Sequence, residues 1–315
     1  FALLAAVAGF ALAQSGATAS AALLAYDPFN IGPGGYVAGD EAAGTNVLGG
    51  QNPVIGPTPF YNGAWIQSGG DSQAVKDIGS LENPLFPQSG GQVQETVQFS
   101  CCSFGRSARE IAGGLGGELD PYTIYQSFLI DFGSQGTDDA TQFGKRAYEM
   151  WNGGVGDAFL AVDLFVNHFA GVNELTLQVT TASGTQSVAL NGGGLDLEDL
   201  LGTHLVVFRF DFSPGAADVV RVYLDPTTSI EADFAAAAMI SVAASDLLIS
   251  HHGAFTGFTF SGGGHLPGAF DEVRWGETFA DVTPFLSEVP VPPAMALFAA
   301  GLLGAPLLRR RKRIE

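Results

Sequence analysis

Cysteine is nearly missing from this chain of 315 residues, since Cys101 and Cys102 are the only two. A framework of disulfide staples is therefore excluded. The two residues are neighbours, so a bond between them would close a strained ring around their shared peptide. Three states stay open for the pair: a vicinal disulfide, a link to another chain, and reduced thiols inside the folded domain.

Basic residues are also scarce, with 13 Lys and Arg against 32 Asp and Glu and a net charge of −19. This balance makes nucleic acid and anionic lipid poor partners. The acidic excess has two readings: it keeps an exported protein dispersed, or it contributes to Ca²⁺ binding. No calcium loop of the D-x-[DN]-x-[DN]-G kind occurs in the sequence. We therefore predict no cofactor, and any Ca²⁺ site would have to be assembled from distant loops.

Glycine and phenylalanine are abundant, with 43 Gly and 24 Phe, while 14% of residues are charged. A chain so rich in turn formers and β-formers predicts an all-β domain of many short strands. Alternating apolar and polar residues mark the candidate strands, which are 23–29, 93–99, 123–132, 146–151, 158–162, 174–180, 186–190, 204–212, 219–224 and 269–276. The stretch from 30 to about 87 is predicted to be irregular, 195–201 a short helix, and 230–240 a loop. One large domain over residues 22–286 accommodates all of them.

The first residues of the chain are typical of an export signal. Residues 1–13 are almost wholly apolar and lack both an initiator Met and a basic leading segment. We predict that residues 1–21 are a signal peptide that is truncated at its front, with small residues before Gln14 and again near Ala19 and Ala21 as cleavage sites. A buried N-terminal helix is the alternative, but it would have neither a polar face nor a cap.

The last residues combine a proline motif, an apolar run and a basic end. The motif residues are Val289, Pro290, Pro292, Pro293 and Ala294, and the basic end includes Arg309, Arg310 and Arg311. The prolines hold their segment extended. The run 294–308 is short, because crossing a bilayer takes about 20 apolar residues. The basic end would stay in the cytoplasm. A plain single-pass anchor is one reading of this tail.

This order of features resembles the PEP-CTERM sorting signal of Gram-negative bacteria, in its VPxPA-like variant. The resemblance implies that residues 287–315 are a sorting signal and that an exosortase-like protease of the inner membrane is a partner. It also implies an inner-membrane precursor that contacts the membrane through 294–308. The processed protein is then expected at the cell surface, on the outer membrane or in the extracellular matrix.

A second resemblance lies in the body of the chain. The run from Phe270 to Arg274, followed by Gly276 and by residues 279–284, resembles the last strand of LamG-like, concanavalin A-type jelly rolls. Residues 26–29, 144–152, 203–211 and 222–226 are similar to other strands of that group. The resemblance implies an antiparallel β-sandwich whose first and last strands pair in one sheet.

Catalytic patterns are missing from the predicted strands. Laminarinase-like hydrolases of this architecture carry three acidic residues at alternating positions of one strand, which places them on one face. Asp271 and Glu272 are adjacent and face opposite sides, while Asp120 is followed by a proline. His251 and His252 would diverge on a strand, so we predict a surface loop there rather than a zinc site. The sequence predicts a protein that is not an enzyme.

The tryptophans supply the remaining candidates. Trp151 and Trp275 occupy strand-like segments and are predicted to be core residues. Trp65 falls in the loop-rich stretch and is the candidate for stacking on a sugar ring. The function expected is adhesion or biofilm-matrix structure. The alternatives are a carbohydrate-binding module for exopolysaccharide and a divergent polysaccharide hydrolase or lyase.

Overall fold

The fold is taken from a computed structural model of the chain. The residues that it describes are 23–39, 48, 50–53, 60–69, 73–76, 79–95, 105–117, 120–132, 143–153, 160–169, 172–193, 197–244, 246–254, 256–259 and 268–285. The predicted signal peptide, its helix, the short apolar C-terminal helix and the sorting segment all lie outside these residues. Among the helices within them, none is both long enough and apolar enough to cross a membrane.

Short strands dominate the described residues, as the composition predicts. The strands are β1 Leu23–Asp27, β2 Tyr61–Gly69, β3 Gln73–Lys76, β4 Gln92–Glu95, β5 Gly105–Leu115, β6 Tyr122–Asp131, β7 Phe143–Trp151, β8 Leu160–Phe169, β9 Val172–Thr181, β10 Gly184–Ala189, β11 Thr203–Phe212, β12 Asp218–Leu224, β13 Ala238–Val242, β14 Ile249–Ala254, β15 Thr256–Thr259 and β16 Ala269–Gly276. One α-helix, α1, spans Phe279–Val282, and 3₁₀ turns occupy Leu190–Gly193, Leu197–Leu200 and Glu231–Asp233.

The strands form two antiparallel sheets. Sheet 1 has the order β13-β12-β11-β6-β16-β4-β3, and β1 also pairs with β16. Sheet 2 has the order β10-β9-β8-β7-β14-β5-β2, and β15 also pairs with β7. The predicted antiparallel β-sandwich of the jelly-roll type is confirmed. The expected pairing of the first and last strands is present as well, because Tyr26 lies opposite Arg274 and Asp27 opposite Val273.

The core lies between the sheets and is rich in aromatic rings. Phe128 of β6 stacks on Tyr148 of β7 with ring centroids 4.1 Å apart, which joins sheet 1 to sheet 2. On β8, Val162 and Leu164 point into the same cluster. Each such side chain stabilises the fold by about 1.5–3 kcal/mol when it is fully buried. Because side chains alternate along a strand, the intervening residues of sheet 2 face outward.

The outer face of sheet 1 is also covered by apolar side chains. This second cluster contains Leu81, Phe86, Tyr125, Leu129, Leu205, Val207, Tyr223, Ala269, Phe279, Val282 and Phe285. Helix α1 packs there, and it begins with a capping box in which Thr278 and Asp281 each bond the other's backbone. Since both faces of β6 are covered, residues 124–130 are buried without interruption.

Several element predictions were wrong. The stretch predicted to be irregular contains β2 and β3, and the strands β5 and β14 were missed. The strand β5 contains two adjacent glycines with φ of +81° at Gly113 and +69° at Gly114. Such glycines are typical of turns, so the alternation of apolar and polar residues in β5 was not recognised. The predicted helix 195–201 is a single 3₁₀ turn at Leu197–Leu200 in the described residues, and the predicted loop 230–240 ends inside β13.

Candidate functional site

Outward-facing side chains make sheet 2 polar where sheet 1 is apolar. A row of hydrogen-bonding groups crosses three of its strands: Asn62 on β2 lies opposite Glu110 on β5, which lies opposite His251 on β14. The Asn62 amide donates to Glu110 Oε2 at 3.0 Å. Asn62 is exposed, while Glu110 and His251 are half-buried. These three residues are the polar row, and all three remain open to solvent.

A serine fixes the imidazole of the polar row. Ser250 Oγ lies 2.8 Å from His251 Nδ1, accepts from the Gly153 N–H at 2.7 Å and donates to the Trp151 carbonyl at 3.2 Å. Burial lowers the pKa of His251, and the carboxylate of Glu110 opposes that shift. The imidazole is therefore neutral at pH 7 and can both donate and accept a hydrogen bond.

Beside the polar row, a tryptophan ring covers the backbone of Gly253 on β14. Trp151 is opposite His251 in the ladder, and its ring occupies the place where a side chain on Gly253 would be. An ideal Cβ on Gly253 would lie 2.0 Å from the nearest ring atom. The ring is fully buried, so it supports the polar row from the side instead of offering a stacking face to solvent.

Two carboxylates lie next to this tryptophan on the same outer face. Glu149 of β7 and Asp163 of β8 are directly opposite each other, and Asp163 is opposite Gln178 of β9. Directly opposite side chains have Cβ atoms about 4.5–5.5 Å apart. Glu149 and Asp163 are 0% and 2% exposed, which separates them from solvent.

The sandwich interior contains a second group of polar residues. Tyr61 stacks on His252 with ring centroids 4.8 Å apart, and the guanidinium carbon of Arg109 lies 4.7 Å from the centre of the Tyr61 ring. Trp275 meets His252 edge-on at 6.2 Å. These four buried residues form the Tyr61 cluster. Burial is the largest cause that lowers the pKa of His252 well below its ordinary range, and the nearby Arg109 adds to it.

A buried carboxyl group lies at the border of this cluster. Asp27 of β1 accepts from the Phe29 N–H at 3.0 Å and from the Tyr36 hydroxyl at 2.5 Å. Its Oδ2 is 3.9 Å from Arg109 Nη1. Burial raises the pKa of Asp27 to about 6, although its hydrogen bonds and Arg109 act in the opposite direction. The loss of hydration on burial therefore affects the pKa of Asp27 more than the ion pair with Arg109 does.

This raised pKa predicts a stability that depends on pH. The folded state keeps the Asp27 proton up to about pH 6, whereas the unfolded chain releases it near pH 4. Stability that is present below pH 4 is thus lost as the pH rises to about 6, by roughly 3 kcal/mol in total. We expect Asp27→Asn to remove this loss, so the difference in unfolding free energy between the two proteins should change over that interval. Urea unfolding across it measures the difference, and a constant difference would contradict the assignment.

Two acidic residues lie in β16, the strand that resembles a LamG-like last strand, and both bond to other parts of the chain. Asp271 is buried, and its carboxylate accepts from the Ser80 hydroxyl and from the Leu81 N–H. Glu272 is also buried and accepts from the Ser89 N–H. These groups serve the fold, since each joins β16 to a segment that has no place in the sheets.

Several residues that were selected from the sequence lie elsewhere in the structure than predicted. Trp65 lies on β2, is 1% exposed, and donates its indole N–H to the Tyr36 hydroxyl at 2.9 Å. It offers no ring face at the surface, which corrects its assignment as a stacking platform. Trp151 and Trp275 are buried as predicted. His251 and His252 lie on β14 and not in a surface loop. Successive side chains of a strand point to opposite faces. Had β14 been predicted as a strand, His251 and His252 would have been assigned to different faces of the sheet.

Other predicted residues lie outside the described part of the chain. These are Cys101 and Cys102, the sorting motif Val289, Pro290, Pro292, Pro293 and Ala294, and the basic residues Arg309, Arg310 and Arg311. Within the described part, no three His, Cys, Asp or Glu side chains are grouped so that they could hold a metal ion.

Comparison with solved structures finds similar folds at low sequence identity. An endo-β-1,4-glucuronan lyase from Trichoderma reesei is 15% identical, with a TM-score of 0.40 over 67% of this chain and 90% of that one. An endo-1,3-β-glucanase from Streptomyces sioyaensis is 10% identical, with a TM-score of 0.47 over 84% and 99%. Lectin II from Ulex europaeus is 9% identical, with a TM-score of 0.35 over 67% and 92%. No family model and no curated protein sequence matches the chain.

Proposed function

We propose that this chain is an exported, non-catalytic β-sandwich that binds polysaccharide through the polar row on sheet 2. The observation that carries the proposal is the accessible line of Asn62, Glu110 and His251, held in place by Ser250 and Trp151. An amide, a carboxylate and a neutral imidazole together supply the donors and acceptors that sugar hydroxyls need. In the matrix outside a cell, such a surface would give adhesion.

The charge of the chain narrows the class of polysaccharide. A net charge of −19 and the carboxylate within the polar row disfavour polyanionic polymers. Sheet 1 is a poor alternative, because its outer face is covered by the second apolar cluster. We therefore propose neutral polysaccharides as ligands.

Binding to a panel of neutral and acidic polysaccharides tests this proposal. We expect His251→Ala and Glu110→Ala each to weaken binding about tenfold, since each removes hydrogen bonds worth roughly 1.5 kcal/mol in a site that includes a charged group. Asp233→Ala is the matched control, because Asp233 is an exposed acidic residue beside the outer face of sheet 1. Equal binding by all three variants would refute the polar row as the site, and binding to none of the polymers would favour a purely structural role.

The second candidate, a polysaccharide hydrolase, is favoured by one observation. Glu149 and Asp163 lie opposite each other across two strands, and in retaining glycosidases the two carboxyl groups are about 5–5.5 Å apart. The sequence pattern considered only acidic residues on one strand, so it could not reveal a pair that lies on two strands. Because both residues are buried, we expect no release of reducing sugar from any polymer that binds. Release that Glu149→Gln abolishes would establish the enzyme instead.

Sorting through residues 287–315 remains part of the proposal and has its own test. We expect the mature protein to end near Val289 to Ala294, because proline favours an extended backbone and such a backbone suits a protease. Mass spectrometry of the mature C-terminus in the native host measures the end directly. An intact Arg-rich end would indicate a membrane-anchored protein, and unchanged localisation after removal of residues 287–315 would contradict sorting.

A further inference from the structure

The Tyr61 cluster contains buried polar atoms without a hydrogen-bond partner. Within the described part of the chain, Arg109 Nη1 and His252 Nε2 are buried and lack one, whereas the Trp275 indole N–H is directed at the Tyr61 hydroxyl. Such groups are uncommon in folded proteins, and each costs about 1–3 kcal/mol when it is left unsatisfied. Arg109 and His252 contact Tyr61 directly, and Trp275 contacts His252. Arg109 and His252 lie directly opposite each other on β5 and β14, so two neighbouring unpartnered atoms indicate a ligand that they share.

The hydrogen bonds around His252 determine what this ligand must offer. Gln126 Nε2 donates to the Tyr148 hydroxyl at 2.5 Å. The Tyr148 hydroxyl keeps its proton for His252 Nδ1, 3.2 Å away. When Tyr148 donates there, the neutral imidazole carries its own proton on Nε2, so that nitrogen is a donor. Arg109 Nη1 can only donate. The cluster thus presents donors and requires an acceptor.

Charge favours an acceptor that is negative. Arg109 uses its other nitrogens to bond Gly63 O at 3.2 Å, Asn52 Oδ1 at 2.9 Å and Pro53 O at 3.1 Å, all of which are neutral. The one carboxyl group beside it, Asp27, is 3.9 Å away and is already engaged by Tyr36 and Phe29. The permanent positive charge of Arg109 is left without a hydrogen-bonded anion.

We propose that the Tyr61 cluster is a buried site for a small inorganic anion of halide size. Arg109 supplies the charge, and the N–H groups on Arg109 Nη1 and His252 Nε2 supply the hydrogen bonds. All four residues of the cluster are less than 8% exposed, so an anion enters only when the sandwich opens locally. Bound there, it joins β5 to β14, beside the Tyr61–Trp275 contact that connects the two sheets.

Anion affinity depends on the protonation of Asp27. The charged and titratable groups that face this carboxyl are Tyr36, Tyr61, Arg109 and Glu272. Below a pH of about 6 Asp27 is neutral and Arg109 attracts an anion without competition. Above it, the ionised Asp27 competes with the anion for the same charge.

Thermal unfolding in chloride and in gluconate at equal ionic strength tests the site. Gluconate is too large to enter, while both salts screen surface charges alike. At about pH 5 we expect chloride to raise the Tm of the wild-type protein by about 3 °C relative to gluconate. At about pH 8 this difference should disappear in the wild type and persist in Asp27→Asn, which keeps the shape of the side chain but cannot ionise. Asp120→Asn, at an exposed aspartate, is the matched control and should behave as wild type.

A second measurement locates the ion. A crystal grown in bromide should show an anomalous peak within hydrogen-bond reach of Arg109 Nη1 and His252 Nε2. Equal Tm values in the two salts for both wild type and Asp27→Asn would overturn the proposal, as would bromide that occupies only surface positions. The site is interior and separate from the polar row, so loss of polysaccharide binding and loss of the chloride effect are independent results.

Discussion

Gly253→Ala is expected to be among the most damaging single substitutions in the described part of the chain. A methyl group there would lie 2.0 and 2.1 Å from Cζ3 and Cη2 of Trp151 and 3.1 Å from the Glu149 carbonyl oxygen. Trp151 is fully buried and cannot swing away into solvent. Overpacking of this kind costs about 3 kcal/mol, and for a chain of this size the Tm should fall by about 8 °C. Calorimetry or urea unfolding measures the loss.

Gly215→Ala is the matched control, because a methyl group there has no atom within 4 Å and its backbone is compatible with alanine. It should leave stability unchanged or raise it slightly. A double-mutant cycle then identifies the cause: Gly253→Ala should cost much less in a Trp151→Leu background, since the smaller side chain frees the space. If Gly253→Ala were as mild as Gly215→Ala, Trp151 could not lie over Gly253, and the support for the polar row would be lost.

Glu272→Ala should destabilise the protein by about 4 kcal/mol. The carboxylate accepts from the Tyr26 hydroxyl at 2.6 Å, from the Ser89 N–H and from Arg274. Arg274 itself is 7% exposed and lies 4.0 Å above the Tyr26 ring. Removing one partner of a buried pair leaves the other charge unpaired, which costs about 3–5 kcal/mol. Equilibrium unfolding measures the total effect.

The position of the increased amide exchange shows whether Glu272→Ala loosens particular segments or destabilises the whole fold. Because Glu272 holds β1 and the segment around Ser89 onto β16, amide exchange at Ser89 and across β1 should accelerate before exchange in β8 and β9. Glu277→Ala, at an exposed acidic residue just beyond β16, should change stability by less than about 0.5 kcal/mol. Uniform acceleration across both sheets would show that Glu272 does not hold these particular segments.

Residues near the end of β16 show how far local sequence pattern can reach. The run from Phe270 to Arg274 was recognisable as a last strand, and its pairing with the first strand followed from that recognition. Its acidic residues could be placed on a strand from sequence, but their partners could not. Ser80 and Asp271 are 191 positions apart, and no local pattern relates them. A loop that reaches a strand from such a distance is fixed by packing alone.

The polar row was invisible in the sequence for a related reason. Glu110 lies in a strand whose glycines resemble a turn, and His251 is followed by another histidine and a glycine. Neither strand was predicted, so neither side chain could be assigned to a face. The prediction that Trp65 is exposed was wrong for the same reason. A tryptophan between glycine-rich segments is expected at the surface unless its strand is known to pair with β5.

The sequence alone determined that this protein is an all-β sandwich, where most of its strands lie, and that Trp151 and Trp275 are buried. Period-two alternation, glycine-rich turns and a shortage of charge are properties of neighbouring residues, so they can be read along the chain. Only the tertiary structure decided that Asn62, Glu110 and His251 form one row and that Tyr61, Arg109, His252 and Trp275 meet in the interior. Sheet pairing joins positions as distant as Met150 and His252. Which strands become neighbours depends on how the whole core packs.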